Sequence, residues 1–143
     1  MSRDKKRVLI LCTGNSARSQ MAEGLLRHDA SDRFEVESAG MKPVAVRPEA
    51  IAVMREAGID IAGQRSKHVD EFKEQRFDYV ITVCDHARES CPVYFGDAGR
   101  LHHDFEDPAA VQGSEPERLA CFRRVRDELR DYLREFSQGV SVS

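Results

Sequence analysis

The feature that most constrains the fold of this chain is a short, continuous run of branched apolar residues near its start. Residues 7–12 read Arg-Val-Leu-Ile-Leu-Cys. A strand without polar alternation must be buried on both faces, which is typical of the centre of a parallel sheet. A turn over residues 13–16 follows it, and apolar residues then recur at helical spacing from Ser19. The pattern predicts a strand–turn–helix unit at the start of an α/β fold.

The alternation of strands and helices continues along the chain. We expect strands at residues 34–40, 77–83 and 101–103, and helices after Pro48, after Ser66 as a capping residue, and after a capping box of Ser114 and Glu117. The order predicts one α/β domain over residues 1–143, with a core at about 6–137. Its sheet is mostly parallel and four-stranded, with helices on both faces.

Composition excludes several classes of partner. The chain has 143 residues and a formal net charge of −3, which argues against nucleic-acid binding. No apolar run approaches the roughly 18 residues of a membrane span, and no secretory signal is visible. The four cysteines are widely spaced in a chain large enough to fold without disulfides. We therefore expect a soluble, cytoplasmic protein that is a monomer.

Three separate segments end at the same edge of the predicted sheet. Cys12 follows the first strand, Cys84 follows the strand at 77–83, and an acidic loop follows the strand at 101–103. Parallel α/β sheets bind ligands beyond the carboxyl ends of their strands. We expect the functional site there.

Residues 12–19 read Cys-Thr-Gly-Asn-Ser-Ala-Arg-Ser, between a buried strand and a helix start. Free amides at a helix N-terminus bind anions, and an arginine adds a two-pronged grip. The same field favours a thiolate at Cys12, a nucleophile beside the bound oxyanion, with Ser19 as its hydroxyl donor. Alternatively, Cys12 is a core residue that ends the strand, and Arg18 is a surface charge. The predicted substrate-binding residues are Thr13, Gly14, Asn15, Ser16, Ala17, Arg18 and Ser19.

The acidic loop offers a general acid. Asp107 precedes Pro108, which restrains its backbone, and a carboxyl there would protonate a departing oxygen. Spacing alone leaves Asp104 and Glu106 as competitors.

Two further cysteines suggest a redox step. Cys84 and Cys91 could pass a disulfide outward by thiol–disulfide exchange. Alternatively, Cys84 is a core residue and Cys91 an incidental surface thiol. A metal site would need Cys84, Cys91, His86 and His102 or His103, a spacing that matches no common zinc motif. Cys121, beside the apolar stripe of the last helix, is most simply structural.

Residues 12–24 resemble the active-site loop of low-molecular-weight protein tyrosine phosphatases and of the arsenate reductases that share their fold. Residues 37–40, 48–51, 58–61, 80–85 and 105–108 fit the same family. The resemblance makes Asp107 the general acid, and the Cys84 and Cys91 pair is the mark of the thioredoxin-coupled arsenate reductases. It implies reduction of arsenate to arsenite through Cys12, Cys84 and Cys91, with electrons from thioredoxin and no organic cofactor or metal.

Two positions depart from the family pattern. Ala17 stands where many such reductases have a cysteine, and Lys67 stands where relatives that bind potassium have an aspartate beside Asn15, Glu23 and Ser38. A fixed ammonium at Lys67 would replace the cation, so we expect no potassium site.

Two other functions remain open. A phosphatase of this family would hydrolyse phosphate monoesters through a phosphorylated Cys12. A non-catalytic module would bind oxyanions or sense redox state through the same loop.

Overall fold

The computed structural model describes residues 5–89, 91 and 95–139, and of His86 it describes the backbone alone. At its centre lies a parallel sheet whose strands are ordered β2-β1-β3-β4. The strands are β1 (Lys6–Cys12), β2 (Phe34–Gly40), β3 (Tyr79–Thr82) and β4 (Gly99–His102). The predicted four-stranded α/β fold is confirmed, although β3 is shorter and β4 begins earlier than the sequence suggests.

The strand order places a crevice at the ends of β1 and β3. The chain moves from β1 to β2 on one side and returns to add β3 on the other. At such a switch point the connections leave in opposite directions and open a cleft beyond the carboxyl ends. β1 is buried from Val8 to Cys12, so both of its faces are covered, as its apolar run predicts.

Within residues 5–89, 91 and 95–139, four α-helices surround the sheet: α1 (Arg18–Ala30), α2 (Pro48–Glu56), α3 (Asp85–Glu89) and α4 (Glu115–Gly139). The longest, α4, packs against α1 and α2. The predicted capping box starts it. Glu117 Oε1 accepts from the Ser114 amide at 3.1 Å, and the Glu117 amide donates to Ser114 Oγ at 3.3 Å. Among the described residues, no helix is long and apolar enough to cross a membrane.

The prediction that Ser66 caps a helix is wrong. A short 3-10 turn does form at Val69–Phe72, but its cap is His68, whose Nδ1 accepts from the Asp70 amide at 3.0 Å. Ser66 Oγ instead donates to the backbone carbonyls of Asn15 and Val44. A tertiary contact has taken the hydroxyl that local capping would use.

Candidate active site

The predicted oxyanion loop lies at the crevice between β1 and α1. Cys12 ends β1 and is 2% exposed, and α1 begins at Arg18 after Ala17. Within the described part of the chain, no side chain caps this helix start, so its first amides are available to an anion. A pocket of about 370 Å³ opens over the loop. The sequence and structure agree on the position of this cradle.

Asn15 holds the cradle in its curled shape. Its φ is +48°, a left-handed conformation that asparagine tolerates better than most residues. The side-chain amide donates to Ser19 Oγ at 2.8 Å and to Ser38 Oγ at 2.9 Å. Its oxygen accepts from the Lys67 amide at 2.8 Å and from Gln20 Nε2 at 3.0 Å. Asn15 therefore shapes the loop, as its position in the turn suggests.

Cys12 has the predicted hydroxyl neighbour. Its Sγ lies 2.9 Å from Ser19 Oγ. Since that oxygen already accepts a hydrogen from Asn15, the serine hydroxyl hydrogen is free to point at the sulfur. A thiolate at Cys12 would thus have a donor in place.

Gly40 lies against the backbone of the cradle, a role that the sequence analysis did not predict. It pairs with Cys12 across β1 and β2. A Cβ at this position would lie 2.6 Å from the Thr13 carbonyl oxygen and 2.8 Å from the Asn15 nitrogen. A glycine at the end of a strand often marks a close approach of another backbone segment, so Gly40 itself is a sequence signal for this role. The signal can be interpreted only once the pairing of β1 with β2 is known.

Arg18 and Asp107 meet at the mouth of the pocket. The Arg18 guanidinium donates to the Phe105 carbonyl oxygen at 2.9 Å and lies 3.8 Å from Asp107 Oδ2. Asp107 begins the short 3-10 turn Pro108–Ala110, where its Oδ1 accepts from the Ala109 amide at 3.0 Å. Its side chain is 44% exposed, so a proton can reach it from solvent.

The two competing acids lie elsewhere. Asp104 Oδ1 accepts from the Asp85 amide at the start of α3, at 3.0 Å. Glu106 forms an ion pair with Arg124 on α4. Of the three candidates, Asp107 alone lines the pocket of the cradle.

Cys84 lies beside the cradle, beyond the end of β3. It is 4% exposed, and its Sγ lies 3.4 Å from the hydroxyl of Thr13, the residue after Cys12. The Ala87 amide, in the first turn of α3, donates to the same sulfur at 3.4 Å. Cys84 sulfur therefore contacts the Ala87 amide and the hydroxyl of the residue that directly follows Cys12.

Cys91 follows α3 in the chain, two residues after Glu89. It is partly buried, and Arg100 Nη1 of β4 lies 2.8 Å from its Sγ. Cys121 is buried on α4, and burial raises the pKa of its thiol, which suits a structural residue. All four cysteines are free thiols.

One of the family's potassium ligands, Glu23, faces an ammonium group in this chain. Lys67 Nζ lies 3.5 Å from Glu23 Oε1 and 2.9 Å from Glu37 Oε1. Ser38 Oγ donates to the same Glu23 oxygen at 2.5 Å. Arg27 Nη2 also lies 2.9 Å from Glu23 Oε2. Because Lys67 and Arg27 already neutralise this buried carboxylate, these residues do not fit a further cation.

The alternative metal site lacks support in the described side chains, where no group of three potential ligands is found. His102 uses both ring nitrogens on other partners, Thr82 Oγ1 at 2.7 Å and Asp85 Oδ1 at 2.8 Å. The side chain of His86, a further proposed ligand, lies outside the described residues.

Comparison with known proteins gives a consistent set of relatives. The family model of low molecular weight phosphotyrosine protein phosphatase matches residues 7–142. An arsenate reductase from Halalkalibacterium halodurans is 43% identical over 94% of this chain and 97% of its own length. A solved arsenate reductase in the phosphate-binding state is 32% identical, with a TM-score of 0.82 over 95% of this chain and 99% of that chain. A thioredoxin-dependent arsenate reductase from Corynebacterium glutamicum is 27% identical, with a TM-score of 0.74 over 94% of this chain and 61% of that one.

Proposed function

We propose that this chain, which belongs to the low molecular weight phosphotyrosine protein phosphatase family, reduces arsenate to arsenite with electrons from thioredoxin. The observation that carries the proposal is the placement of Cys84 beside the Cys12 cradle, with Cys91 beyond α3. A phosphatase needs one thiol, whereas a reductase of this kind needs three. The arsenate reductases among its relatives support the same conclusion. The proposed catalytic residues are Cys12, Arg18, Cys84, Cys91 and Asp107.

The first step is attack on the bound oxyanion. The amides of residues 13–19 and the Arg18 guanidinium hold arsenate in the cradle. The Cys12 thiolate, to which Ser19 donates a hydrogen bond, attacks arsenic. Asp107 gives its proton to the oxygen that leaves as water. The product is a covalent adduct of Cys12 sulfur and arsenic(V).

The second step transfers two electrons. Cys84 sulfur attacks Cys12 sulfur, the sulfur–arsenic bond breaks, and its electron pair leaves with arsenic as arsenite. A Cys12–Cys84 disulfide results. Cys91 then attacks Cys84, which releases Cys12 and leaves a Cys84–Cys91 disulfide for thioredoxin to reduce. The Thr13 hydroxyl and the Ala87 amide would stabilise negative charge on Cys84 sulfur before it attacks Cys12.

The relay favours a reducing compartment. Its three thiols must be free at the start of each cycle, and thioredoxin keeps thiols reduced in the cytosol. We therefore place the protein in the cytoplasm. All residues of the proposed mechanism lie in one chain, so we infer that it works as a monomer.

The second candidate is hydrolysis of phosphate monoesters, which family membership favours. The Cys12 cradle and Asp107 would suffice, with water attacking a Cys12–phosphate adduct. The wall beside Asp107 is Ala109 and Ala110, which offer no aromatic ring to stack on a phenyl group. Hydrolysis of phosphotyrosine is therefore a weaker hypothesis than reduction of arsenate.

Single cysteine variants separate the two reactions. We expect Cys12→Ser to lose both arsenate-dependent NADPH oxidation, coupled through thioredoxin and its reductase, and hydrolysis of an aryl phosphate. A serine hydroxyl is not ionised at neutral pH and cannot replace the thiolate. Cys84→Ser should lose reduction and keep hydrolysis.

Cys121→Ser is the matched control, because Cys121 is also a buried cysteine but lies on α4. It should keep both activities. Continued arsenate cycling with thioredoxin in Cys84→Ser would show that the order of the relay is wrong. Arsenate binding without turnover in the unaltered protein would favour the non-catalytic module.

A further inference from the structure

A loop outside the cradle forms one wall of its pocket. The segment of residues 42–47, which follows β2, runs alongside the cradle and donates three backbone hydrogen bonds of 2.9 Å to it: Lys42 to Thr13, Val44 to Gly14 and Arg47 to Ser16. These bonds place the Lys42, Val44 and Arg47 side chains in the lining of the pocket. The wall is therefore a fixed part of the site.

The pocket is larger than the oxyanion that the cradle holds. Its volume of about 370 Å³ falls in the range of sites for small organic molecules, whereas arsenate and phosphate have five heavy atoms. The remaining space is lined by small or aliphatic groups at Val44, Ala109 and Ala110. Val44 is 57% exposed, the one large hydrophobic residue that is exposed in the described part of the chain. A short aliphatic group would fit there, and an aromatic ring would find no stacking partner.

The same wall carries two positively charged side chains, Lys42 and Arg47, whose charge the protein neutralises only in part. Arg47 Nη2 donates to the Ala109 carbonyl oxygen at 3.4 Å. Arg47 Nε is buried without a hydrogen-bond partner, the sole buried side-chain nitrogen or oxygen atom of this kind among the described residues. Its nearest carboxylate, Glu49, is 4.0 Å away and also pairs with Arg118 at 3.5 Å. Lys42 has no ion pair within the described residues. A buried donor without an acceptor is costly unless a ligand supplies one.

We propose that Lys42 and Arg47 form a second anion subsite, which binds a carboxylate joined by a short aliphatic chain to a phosphate in the cradle. The substrates of this class are phosphate monoesters of small hydroxy acids. The proposal rests on the oxyanion role that the proposed function gives to the Cys12 cradle. It adds hydrolysis of phosphate monoesters, with a preference for esters that carry a carboxylate. Neither the cradle nor Asp107 would produce that preference.

The hydrolysis uses groups already described. Cys12 sulfur bonds to phosphorus, the ester bond breaks, and Asp107 protonates the departing oxygen of the hydroxy acid. Water then attacks the phosphorus, and inorganic phosphate leaves Cys12, whose sulfur recovers the electron pair. No oxidant or reductant is needed.

Binding of phosphonates, which cannot be hydrolysed, tests the subsite by calorimetry on the reduced protein. The probes are phosphonoacetate, 3-phosphonopropionate and 4-phosphonobutyrate, with propylphosphonate as the neutral-chain reference. We expect the best carboxylated probe to bind about tenfold more tightly than the reference, the effect of one charge-assisted contact. In Lys42→Met/Arg47→Met the ratio should fall to about one. Lys73→Met, which removes an exposed lysine outside the pocket, should keep it.

The outcomes separate the two proposals. Equal binding of all probes, an unchanged ratio in the double variant, or no binding of any phosphonate would overturn the subsite. Failure of arsenate reduction with the ratio intact would refute the proposed function alone. Finally, 2-carboxyethyl phosphate should be hydrolysed with about ten times the kcat/KM of propyl phosphate, in proportion to the binding preference. Hydrolysis of neither ester would overturn the added activity.

Discussion

At the scale of single residues, the chemistry of the site depends on the direction of a few hydrogen bonds. Asn15 donates to Ser19, so the serine hydroxyl hydrogen has Cys12 sulfur as its acceptor. Both hydrogens of the Asn15 amide are used, and its oxygen has two donors. Such a satisfied buried network has one low-energy arrangement, which holds the nucleophile ready.

Gly40→Ala should disrupt the cradle without unfolding the sheet. The added methyl group would meet backbone atoms of Thr13 and Asn15 at 2.6–2.8 Å, so the loop must move. We expect phosphate affinity to fall by more than tenfold, since the amides no longer converge. Titration with phosphate measures this, and circular dichroism checks the fold. Gly63→Ala, where a Cβ meets nothing within 4 Å, is the control. Unchanged affinity in Gly40→Ala would contradict the argument.

Potassium should have no specific effect on stability, because Lys67 occupies the position of the cation. Thermal midpoints in potassium and sodium chloride of equal ionic strength should agree. Lys67→Asp restores the family's acidic ligand beside Glu23, and this variant should gain a higher midpoint in potassium than in sodium. A potassium-specific rise in the unaltered protein would contradict the hypothesis.

At the scale of secondary structure, α3 is the element that the relay must move. It has five residues, Asp85–Glu89, too few for a helix that is stable by itself. It separates Cys84, whose sulfur accepts from Ala87, from Cys91, whose sulfur lies against Arg100. The five helical residues of α3, which lie between the two cysteines, rise about 7.5 Å along the helix axis. A disulfide needs Cα atoms within about 7 Å.

We therefore predict that α3 unwinds when Cys84 and Cys91 form a disulfide. Amide hydrogen exchange over residues 85–89 should be faster in the oxidised protein than in the reduced one. Cys91→Ser cannot form this disulfide and should keep the slower exchange after the same oxidation. Equal protection in the reduced and oxidised forms of the unaltered protein would contradict this prediction.

At the scale of the whole molecule, α4 joins the end of the chain to its first half. Asp29 of α1 accepts from Arg130 Nη2 and Nε at 2.7 and 2.9 Å, and Arg134 Nε lies 3.5 Å away. The hydrogen bonds from Arg130 lower the pKa of Asp29 to about 2, against the opposing effect of its partial burial. This ion pair couples two segments that are 101 residues apart.

The lowered pKa of Asp29 makes stability depend on pH. Since the folded state holds the carboxylate, the ion pair contributes fully above the ordinary pKa of 3.8 and is lost as pH falls toward about 2. We expect Asp29→Asn to lower the free energy of unfolding by about 1–2 kcal/mol at pH 7. Urea unfolding at pH 7 and pH 2.5 measures both effects.

At pH 2.5 the difference between Asp29→Asn and the unaltered protein should shrink. Asp32→Asn is the control, because Asp32 has no ion pair with a described residue. A difference that stays the same at both pH values would show that the Asp29 charge is not responsible.

The sequence by itself determined β1, the cradle turn and the capping box of α4. These depend on apolar periodicity and on bonds between near neighbours, such as Ser114 with Glu117. The tertiary structure decided which distant groups meet. Ser66 donates to a carbonyl of the cradle and does not cap a helix. Glu106 pairs with Arg124, whereas Asp107 lines the pocket. Gly40 packs against the backbone of the cradle, and Arg47 lines the same pocket. The physical reason is that the spacing of apolar residues indicates which face of a helix or strand is buried. It does not indicate which distant residues meet, because those contacts depend on how the elements pack together.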